Sequence, residues 1–378
     1  MRSPTVIIAP DSYKGSAEAA DVAAALAAGL AHSCPDATIT EAPMADGGEG
    51  TLACIAAARP GRWQHASVEA IHGERVTAPW YRTETGLGAI ESARVLGLPL
   101  IERSDRAPGL VDRGSGALGR LIRAALDAGV REIAVGLGGS ACNDAGLGLL
   151  LALGARARDA GGRDVAPTLA GLLALDTLSL DDIDPRLADT RLRVLCDVDN
   201  PLLGATGASR VYGPQKGLTA AEIDAVEQAF ARLAWATGAR ADVDAPGSGA
   251  AGGLGFALAA LGATLEPGAD TLIELTGLKR QMAAADLVIT GEGRSDAQTL
   301  SGKLPLAIAR AAAPVPTALL SGAIADDARD ALEGAFTGCY TLVERAGSTE
   351  AALADPLYWI RTVAAQIGHD IDRLRARG

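Results

Sequence analysis

Short apolar runs, each followed by a glycine-rich polar loop and then by a helical pattern, recur along this chain. Residues 5–9, TVIIA, predict a buried strand, and Ser16 is a candidate N-cap for a helix expected to end at Leu30. A second strand is predicted near Thr38–Ala42, again with a helix after its loop. This order predicts a doubly wound parallel sheet, whose loops gather at the carboxyl edge where such sheets bind ligands.

The pattern changes from about residue 66. Residues 67–82 alternate around His72-Gly73 and predict an antiparallel hairpin, and residues 155–164 predict a second one that turns on residues 160–162. The other elements expected here are strands near Gly88–Glu91, Glu132–Val135 and Leu192–Leu195, and helices over Gly116–Ala128, Ala220–Thr237 and part of 246–263.

After residue 285 the first pattern returns. It predicts strands at Leu287–Thr290, Thr317–Leu320 and near Tyr340–Val343, and a final helix over roughly Pro356–Leu374. The simplest arrangement is one α/β domain, residues 1–65 and 283–378, split by an inserted mixed α/β domain at 66–282. We expect the active site in the cleft between the two domains.

Composition excludes several classes of function. A net charge of −12 argues against nucleic acid or an anionic membrane as partner, and no apolar run approaches the ~20 residues of a membrane span. Five unpatterned cysteines indicate reduced thiols and a cytoplasmic protein. The four histidines lie outside the glycine-rich loops, which argues against a His-based triad or metal site, so an Asp would have to act as base.

Lysine is rare in this chain, which has thirty arginines but only Lys14, Lys216, Lys279 and Lys303. Three of these four adjoin a glycine, Lys279 being the exception. A compact ammonium group in a tight loop suits the capture of phosphate or carboxylate, although ordinary loops would also accommodate it.

The stretch 285–303 is expected to organise the site. Its strand should end at Thr290, and a glycine-rich loop with Gly291, Glu292, Gly293, Arg294 and Asp296 should lead to a helix that opens at Gly302-Lys303. Such a loop can bind an anion through backbone N–H groups. It is not a Walker A loop, because Ala297 and Leu304 occupy positions that require Gly and Ser or Thr.

Two more loops carry acids beside glycines. Asp11, Ser12 and Lys14 follow the first strand and suit an anion, a metal or a hydroxyl, unless they only cap the helix. The second loop contains Asp46, Gly47, Gly48 and Glu49. Its acids suit hydroxyl binding, proton abstraction or Mg²⁺, unless the loop is a structural turn.

The segment 136–144, GLGGSACND, follows a predicted strand and contains G-x-G-x-x-A. A dinucleotide fold also requires an acid at the end of a second parallel strand, and Asp159 lies in an apparent hairpin instead. An anion-binding nest lined by Ser140, Asn143 and Asp144 is the preferred interpretation. Farther on, Asp197 and Asn200 follow a strand end, where they suit Mg²⁺ in phosphoryl transfer or a plain Asx turn.

These motifs occur together in one known family. IAPDSYKGS, PMADGGEGT, VGLGGSACNDAG, CDVDNPLLGATGAS, YGPQKG, GSGAAGGLGFAL and ITGEGRSDAQTLSGK follow one another as in the bacterial glycerate kinase type 1 family, which the whole chain resembles. The resemblance implies ATP-dependent phosphorylation of D-glycerate to 2-phosphoglycerate with Mg²⁺. It also implies a flavodoxin-like (Rossmann-like) doubly wound domain interrupted by a second α/β domain.

The family's motifs single out a set of residues, and the clustering of acids and lysines in glycine-rich loops leads us to expect the following roles for them. The expected catalytic residues are Asp197, as the first choice of base, Asp46, Lys14 and Arg294. The residues expected to bind substrate or phosphate are Asp11, Ser12, Gly47, Gly48, Glu49, Gly138, Gly139, Ser140, Asn143, Lys216, Gly291, Glu292, Gly293 and Lys303. Asp144, Asn200 and Asp296 are expected to hold Mg²⁺. The chain departs from the family at Cys142, where Thr is usual, and at Ala145-Gly146, where Gly-Gly is common.

Several alternatives remain open at this point. The product could be 3-phosphoglycerate, or the substrate a related small hydroxy acid. An NAD(P)-dependent hydroxy-acid dehydrogenase would rest on the G-x-G-x-x-A stretch alone, and a non-catalytic sugar-acid sensor would not need so many acids and lysines. The sequence leaves the oligomeric state undecided, with a homodimer as one alternative.

Overall fold

The computed structural model describes residues 3–238 and 240–376. Its strands are Thr5–Ile8 (β1), Thr38–Glu41 (β2), Gly61–Glu69 (β3), Arg75–Thr83 (β4), Leu87–Glu91 (β5), Glu132–Gly136 (β6), Arg156–Asp159 (β7), Leu175–Ser179 (β8), Arg191–Cys196 (β9), Thr264–Pro267 (β10), Leu287–Ser295 (β11), Thr317–Ile324 (β12) and Gly338–Thr341 (β13).

The helices in the same residues are Ala19–Ser33 (α1), Thr51–Ala58 (α2), Ala93–Leu96 (α3), Leu98–Glu102 (α4), Gly116–Asp127 (α5), Leu147–Ala152 (α6), Leu169–Leu173 (α7), Ala208–Tyr212 (α8), Ile223–Ala236 (α9), Ala250–Ala260 (α10), Gly268–Thr276 (α11), Leu278–Met282 (α12), Leu304–Ala312 (α13), Arg329–Ala335 (α14), Leu342–Ala346 (α15), Thr349–Ala354 (α16), Pro356–His369 (α17) and Ile371–Arg375 (α18). None of them has both the length and the apolar character of a membrane span.

The chain forms two compact units. Unit 1 comprises the described residues of 1–46, 53–58 and 269–378, and unit 2 comprises residues 47–52 and 59–268. The predicted domain boundaries, whose ranges include the undescribed residues 1, 2, 239, 377 and 378, stay a prediction, as does the predicted cleft site.

Unit 1 contains a parallel sheet in the order β2-β1-β11-β12-β13. Numbered within this unit, the order is 2-1-3-4-5, which is the order of flavodoxin-like doubly wound sheets. The expectation that the N-terminal strands share a sheet with those after residue 285 is therefore confirmed. β1 and β11 pair directly and in parallel, with Val6 beside Leu287 and Ile8 beside Ile289.

Alternate residues of these strands face different helices, because successive side chains on a strand point to opposite faces. Val6 and Ile289 lie in one hydrophobic cluster with residues of α1 and α17, whereas Leu319 packs with Leu332 and Phe336 on the side of α14. The sheet is thus covered on both faces, and its carboxyl edge remains available for loops.

Unit 2 contains a mixed sheet in the order β10-β9-β6-β5-β4-β3. Strands β10, β9, β6 and β5 are parallel, and β4 and β3 extend the sheet as an antiparallel hairpin. This hairpin turns at His72-Gly73, as predicted. The core includes Trp80, Ile90 and Phe230, each 2% exposed or less, so unit 2 has a hydrophobic core of its own.

Two predictions for the middle of the chain were incomplete. The turn at residues 160–162 exists, since the Asp159 N–H donates to the Arg163 carbonyl at 2.9 Å. However, the strand that pairs with β7 over most of its length is β8, which the sequence did not predict. The glycine-rich entry to α10 is also more irregular than expected, because Ala251, Gly252 and Gly253 have left-handed backbone angles.

Several predicted ends were wrong. The N-cap of α1 is Glu18, and the Ser16 hydroxyl instead donates to the Tyr13 carbonyl at 2.9 Å. The strand expected near 340–343 ends at Thr341, whose side chain accepts from the Glu344 N–H and begins α15. The final helix is interrupted at Asp370, between α17 and α18. These boundaries depend on local caps, which periodicity alone does not reveal.

The glycine-rich loop predicted after Thr290 is instead strand. β11 continues to Ser295 and pairs with β12 as far as Ile324. Gly291 serves close packing, because a Cβ there would lie 2.0 Å from the Leu320 carbonyl oxygen and 3.1 Å from the Tyr13 hydroxyl. The helix that follows does begin directly after Lys303, as predicted.

Candidate functional site

Three carboxyl groups come together at the carboxyl edge of the unit 1 sheet. Asp11 follows β1, Asp46 follows β2, and Glu292 lies in β11. The Asp11 N–H donates to the Gly291 carbonyl at 2.8 Å, which fixes the first loop beside β11. We call Asp11, Asp46 and Glu292 the acidic edge.

The acidic edge changes the proton affinity of Asp11. Burial and the negative charges of Asp46 and Glu292 raise the pKa of Asp11 to about 8, against the favourable hydrogen bond that its Oδ1 accepts from the Ser12 N–H at 2.6 Å. Burial disfavours the charged form of the carboxyl group, and the two neighbouring negative charges disfavour a third one beside them. Asp11 therefore exchanges its proton near neutral pH, as a general base or acid requires.

Glu292 is held in one orientation. Its Oε1 accepts hydrogen bonds from the Ser295 hydroxyl at 2.8 Å and the Thr299 hydroxyl at 2.6 Å, and Ser295 also lies 2.6 Å from the Ser321 hydroxyl. The side chain is 8% exposed, and burial raises its pKa, with these hydroxyls and Lys303 acting in the opposite direction. The hydroxyls of Ser295 and Thr299 thus fix the orientation of the Glu292 carboxylate.

The predicted cations of unit 1 lie near this edge but differ in accessibility. Lys14 and Arg294 are exposed, and Lys303 is half-buried, with its Nζ 4.0 Å from Asp296 Oδ1. Asp296 Oδ1 also accepts from the Gln298 N–H at 2.9 Å. Exposed cations such as Lys14 and Arg294 can bind an anionic substrate directly from solvent.

In unit 2 the predicted loops meet through glycines. A Cβ on Gly136 would lie 2.7 Å from the Gly47 carbonyl oxygen, and one on Gly138 would lie 2.6 Å from the Gly48 Cα. Gly47 is confined as well, since its Cβ would lie 3.0 Å from that of Leu195. We call Gly47, Gly48, Gly136 and Gly138 the glycine seam. It joins the loop of Glu49 to the loop of Gly139 and Ser140 without room for any side chain.

Lys216 contacts the segment that follows Gly138 and Gly139. It is 5% exposed, and its Nζ donates to the Cys142 carbonyl at 2.8 Å and lies 3.4 Å from the Ser140 hydroxyl. Burial lowers its pKa, although Cys142 and Asp144 act in the opposite direction. Arg113 donates to the Lys216 carbonyl at 3.1 Å. Lys216 thus supports the loop of Ser140 from inside the protein.

Asp144 and Asn200, two of the three residues predicted to hold Mg²⁺, have their oxygens engaged in other bonds. Asp144 is fully buried and accepts from the N–H and hydroxyl of Ser115 and from the N–H groups of Gly146 and Gly148, at 2.8–3.2 Å. Asn200 Oδ1 accepts from the Tyr212 hydroxyl at 2.7 Å. No group of three potential metal ligands exists among the described residues. The predicted set does not fit Mg²⁺.

The loop that contains Asp144 is strained where it departs from the family pattern. Ala145 has a φ of +48° and its N–H donates to the Gly252 carbonyl at 3.0 Å, in the segment where Ala251 has a φ of +53°. These angles favour glycine, so two alanines hold a conformation that costs free energy. Asn143 is fully buried, and its Nδ2 donates to the Ser209 hydroxyl at 3.3 Å.

Asp197 and Glu49 occupy different surroundings from the acidic edge. Both side chains are exposed, Asp197 at the carboxyl end of β9 and Glu49 in the loop before α2. Neither carboxyl group belongs to the acidic edge, where Asp11 is buried close to Asp46 and Glu292.

Glu91 lies beside the loops of unit 2 described above and was not predicted from the sequence. It ends β5, is 1% exposed, and its Oε2 accepts from the Leu52 N–H at 3.1 Å. The available signal was a lone acid at the end of an apolar strand. Its partner is 39 residues away in the chain, so nothing local announced the contact.

The geometry gives the dinucleotide alternative no support. The helix after the G-x-G-x-x-A stretch begins only at Leu147, and β7 pairs antiparallel with β8 outside the parallel strands. Asp159 is bound to the Arg163 side chain of its own turn, at 2.9 Å. A ribose-binding acid requires a parallel second strand, which Asp159 does not terminate.

Comparison with known proteins gives one consistent family. Residues 6–372 match the Glycerate kinase family. The chain is 41% identical over 329 residues to the Glycerate 2-kinase of Escherichia coli (strain K12), covering 85% of this chain and 86% of that protein. It is 39% identical over 373 residues to the Glycerate kinase of Bacillus subtilis (strain 168), covering 97% of each. A crystal structure assigned to glycerate kinase 2 from Salmonella typhimurium LT2 superposes with a TM-score of 0.82 at 37% identity, covering 98% of this chain and 99% of that one.

Proposed function

Since the chain belongs to the glycerate kinase family, we propose that it transfers the γ-phosphoryl group of ATP to the 2-hydroxyl of D-glycerate, giving 2-phosphoglycerate and ADP. The observation that carries the proposal is the acidic edge, where Asp11 has a pKa of about 8. The 2-position follows the name of the Escherichia coli relative.

Asp11 is proposed as the general base, in place of Asp197 and Asp46 as expected from the sequence. Its carboxylate takes the proton of the attacking hydroxyl while that oxygen bonds to the γ-phosphorus and the bond to the ADP oxygen breaks. Asp46 and Glu292 raise its proton affinity, so the accepted proton is held more strongly than by an ordinary aspartate. After the transfer, Asp11 returns the proton to solvent.

The cations of unit 1 are proposed to bind the anionic groups. Lys14 and Arg294 are exposed and suit the glycerate carboxylate, and Lys303, half-buried, suits a phosphate. In unit 2, the glycine seam and Lys216 are proposed to keep Gly139 and Ser140 in a fixed loop that offers backbone N–H groups to an anion. In both units the contribution is positioning together with electrostatic stabilisation, as phosphoryl transfer requires.

Mg²⁺ enters the proposal only as the ion that accompanies the phosphates of ATP, where it would neutralise part of their charge. The ligands predicted from the sequence do not fit it, because Asp144 and Asn200 are engaged in other hydrogen bonds. No step is assigned to the ion.

The test is incubation with ATP and D-glycerate, followed by ³¹P NMR of the product. The proposal predicts 2-phosphoglycerate in equal amount to ADP. A 3-phosphoglycerate signal would reject the assignment of the hydroxyl, and ADP without a phosphorylated acid would reject the kinase assignment for this substrate. A panel of other small hydroxy acids then defines the substrate class.

A further inference from the structure

Glu91 makes a set of contacts that the proposed reaction does not use directly. It stands at the carboxyl end of β5, next to the end of β6, because Glu91 pairs with Gly136. Gly136 belongs to the glycine seam and meets the Gly47 carbonyl. Glu91 therefore lies among the loops that carry Glu49, Gly139 and Ser140, although it is itself 1% exposed.

Each carboxylate oxygen of Glu91 has a different neighbour. Oε2 accepts from the Leu52 N–H at 3.1 Å, and the Gly50 N–H also stabilises the carboxylate. Oε1 is fully buried and lies 3.1 Å from the Nε of Arg94, in a geometry that does not form a hydrogen bond. The carboxylate thus binds the backbone of the loop before α2 with one side and approaches a half-exposed cation with the other.

Burial of this carboxylate is costly for the protein. Burial raises the pKa of Glu91, against Arg94 and the N–H groups of Leu52 and Gly50. A buried acid that only filled space could be replaced by an apolar residue with little loss. The position of Glu91 indicates that the free energy cost of burying its carboxylate is offset by a more stable conformation of residues 47–52.

We propose that Glu91 is a positioning residue, which holds the loop of residues 47–52 in the conformation that the glycine seam and Glu49 require for phosphoryl transfer. This inference rests on the proposed function. The Glu91 side chain accepts from the Leu52 N–H at 3.1 Å, and inside the loop the Thr51 hydroxyl donates to the Gly48 carbonyl at 2.8 Å.

Glu91→Gln tests the proposal, because the amide keeps the size of the side chain but cannot keep all its contacts. Whichever way the amide turns, its NH₂ faces a donor, either the backbone N–H groups or the Arg94 guanidinium. The matched control is Glu132→Gln. Glu132 lies in the same sheet at the opposite end of β6 and has its own arginine partner, Arg191, at 3.5 Å.

Two measurements are made on the full-length chain. Amide hydrogen exchange of residues 47–52 should become about tenfold faster in Glu91→Gln and stay unchanged in Glu132→Gln. The kcat/KM for D-glycerate should fall about tenfold or more in Glu91→Gln. The melting temperature should fall by a few degrees in Glu91→Gln, because an NH₂ group faces a donor, so both measurements are made at a temperature where the variant remains folded. The control should stay within about twofold for kcat/KM.

Unchanged exchange in residues 47–52 would overturn the proposal, whatever the activity. Faster exchange with kcat/KM within twofold of the wild type would overturn it as well, as would a loss of activity that only tracks the fraction of unfolded protein. If the wild type does not phosphorylate D-glycerate, the proposed function fails, and the exchange measurement still decides whether Glu91 holds the loop.

Discussion

The acidic edge of unit 1 and the buried network of unit 2 surround their carboxyl groups differently, although burial raises the pKa of both Asp11 and Asp144. Burial and the nearby charges of Asp46 and Glu292 raise the pKa of Asp11 to about 8, and its carboxylate accepts a hydrogen bond from the neighbouring Ser12 N–H. Asp144 is more deeply buried, yet donors surround both of its oxygens. An acid short of donors is suited to exchange protons, whereas an acid saturated with donors fixes a loop. We therefore propose that the acidic edge carries the proton transfer and that the network around Asp144 holds its loop in place.

The largest expected effect is on turnover. Asp11→Asn should lower kcat about 10²–10⁴-fold, the usual contribution of a general base, because the amide cannot accept the proton. Binding of ATP should persist. Steady-state kinetics and ATP titration measure the two quantities.

Asp197→Asn is the matched variant in unit 2. If the comparison holds, it lowers kcat by no more than about tenfold, as expected for a residue that positions but does not accept the proton. A reversed order, with Asp197→Asn the more damaging, would restore the expectation from the sequence and break the comparison.

The next effect is on stability. Asp144→Asn should destabilise the protein by about 2–4 kcal/mol, because an NH₂ group would replace an oxygen that accepts from backbone N–H groups and a hydroxyl in a fully buried place. Thermal unfolding followed by circular dichroism measures this. Asp11→Asn provides the contrast, since it should leave the melting temperature unchanged or raise it.

The pH dependence of stability follows from the raised pKa of Asp11. Between its ordinary value of 3.8 and about 8, the folded protein keeps a proton that the unfolded chain has lost. The contribution of Asp11 to stability therefore falls as pH rises through this range. In Asp11→Asn the melting temperature should therefore decline less between pH 5 and pH 8 than in the wild type, by a few degrees. A change of 1 kcal/mol in stability corresponds to roughly 2–4 °C in melting temperature. Parallel melting curves at pH 5 and pH 8 would show whether the slopes differ; equal slopes contradict the raised pKa.

The smallest effect concerns the strained loop of unit 2. Ala145→Gly should stabilise the protein by about 0.5–1 kcal/mol, because φ is +48° and glycine adopts that angle without strain. The control is Ala231→Gly, at an exposed position inside α9, which should destabilise it by about 1 kcal/mol. Denaturant titration resolves both. A loss of stability in Ala145→Gly would show that the alanine methyl contributes more through packing than the backbone angle costs.

The sequence predicted much of the fold for a physical reason. Buried parallel strands appear in the sequence as short apolar runs. Because each run or helical pattern is contained in a few consecutive residues, the order of strands and helices can be predicted from the sequence. It failed at Gly291, where glycine is needed because Tyr13 and Leu320 approach from distant segments. A glycine kept for close packing and a glycine kept for a turn look the same in the sequence.

The site residues were found by type but not by role. Acids beside glycines drew attention to Asp11, Asp46 and Glu292, because such residues at strand ends suit ligands. The raised pKa of Asp11 depends on its burial and on the charges of Asp46 and Glu292, which follow β2 and lie in β11, so the sequence alone could not reveal it. The sequence does not reveal the contact of Glu91 either, because its partner is the backbone N–H of Leu52, 39 residues away in the chain.

The most direct measurement is the titration of Asp11 itself. Carbon-13 labelling of aspartate carboxyl groups, with Asp11→Asn to assign the resonance, gives its midpoint by NMR in the absence of substrates. We expect a midpoint near 8, displaced towards lower pH when Asp46→Asn or Glu292→Gln removes a neighbouring charge. A midpoint near the ordinary value of 3.8, unaffected by those substitutions, would contradict the acidic edge as the source of the proton acceptor.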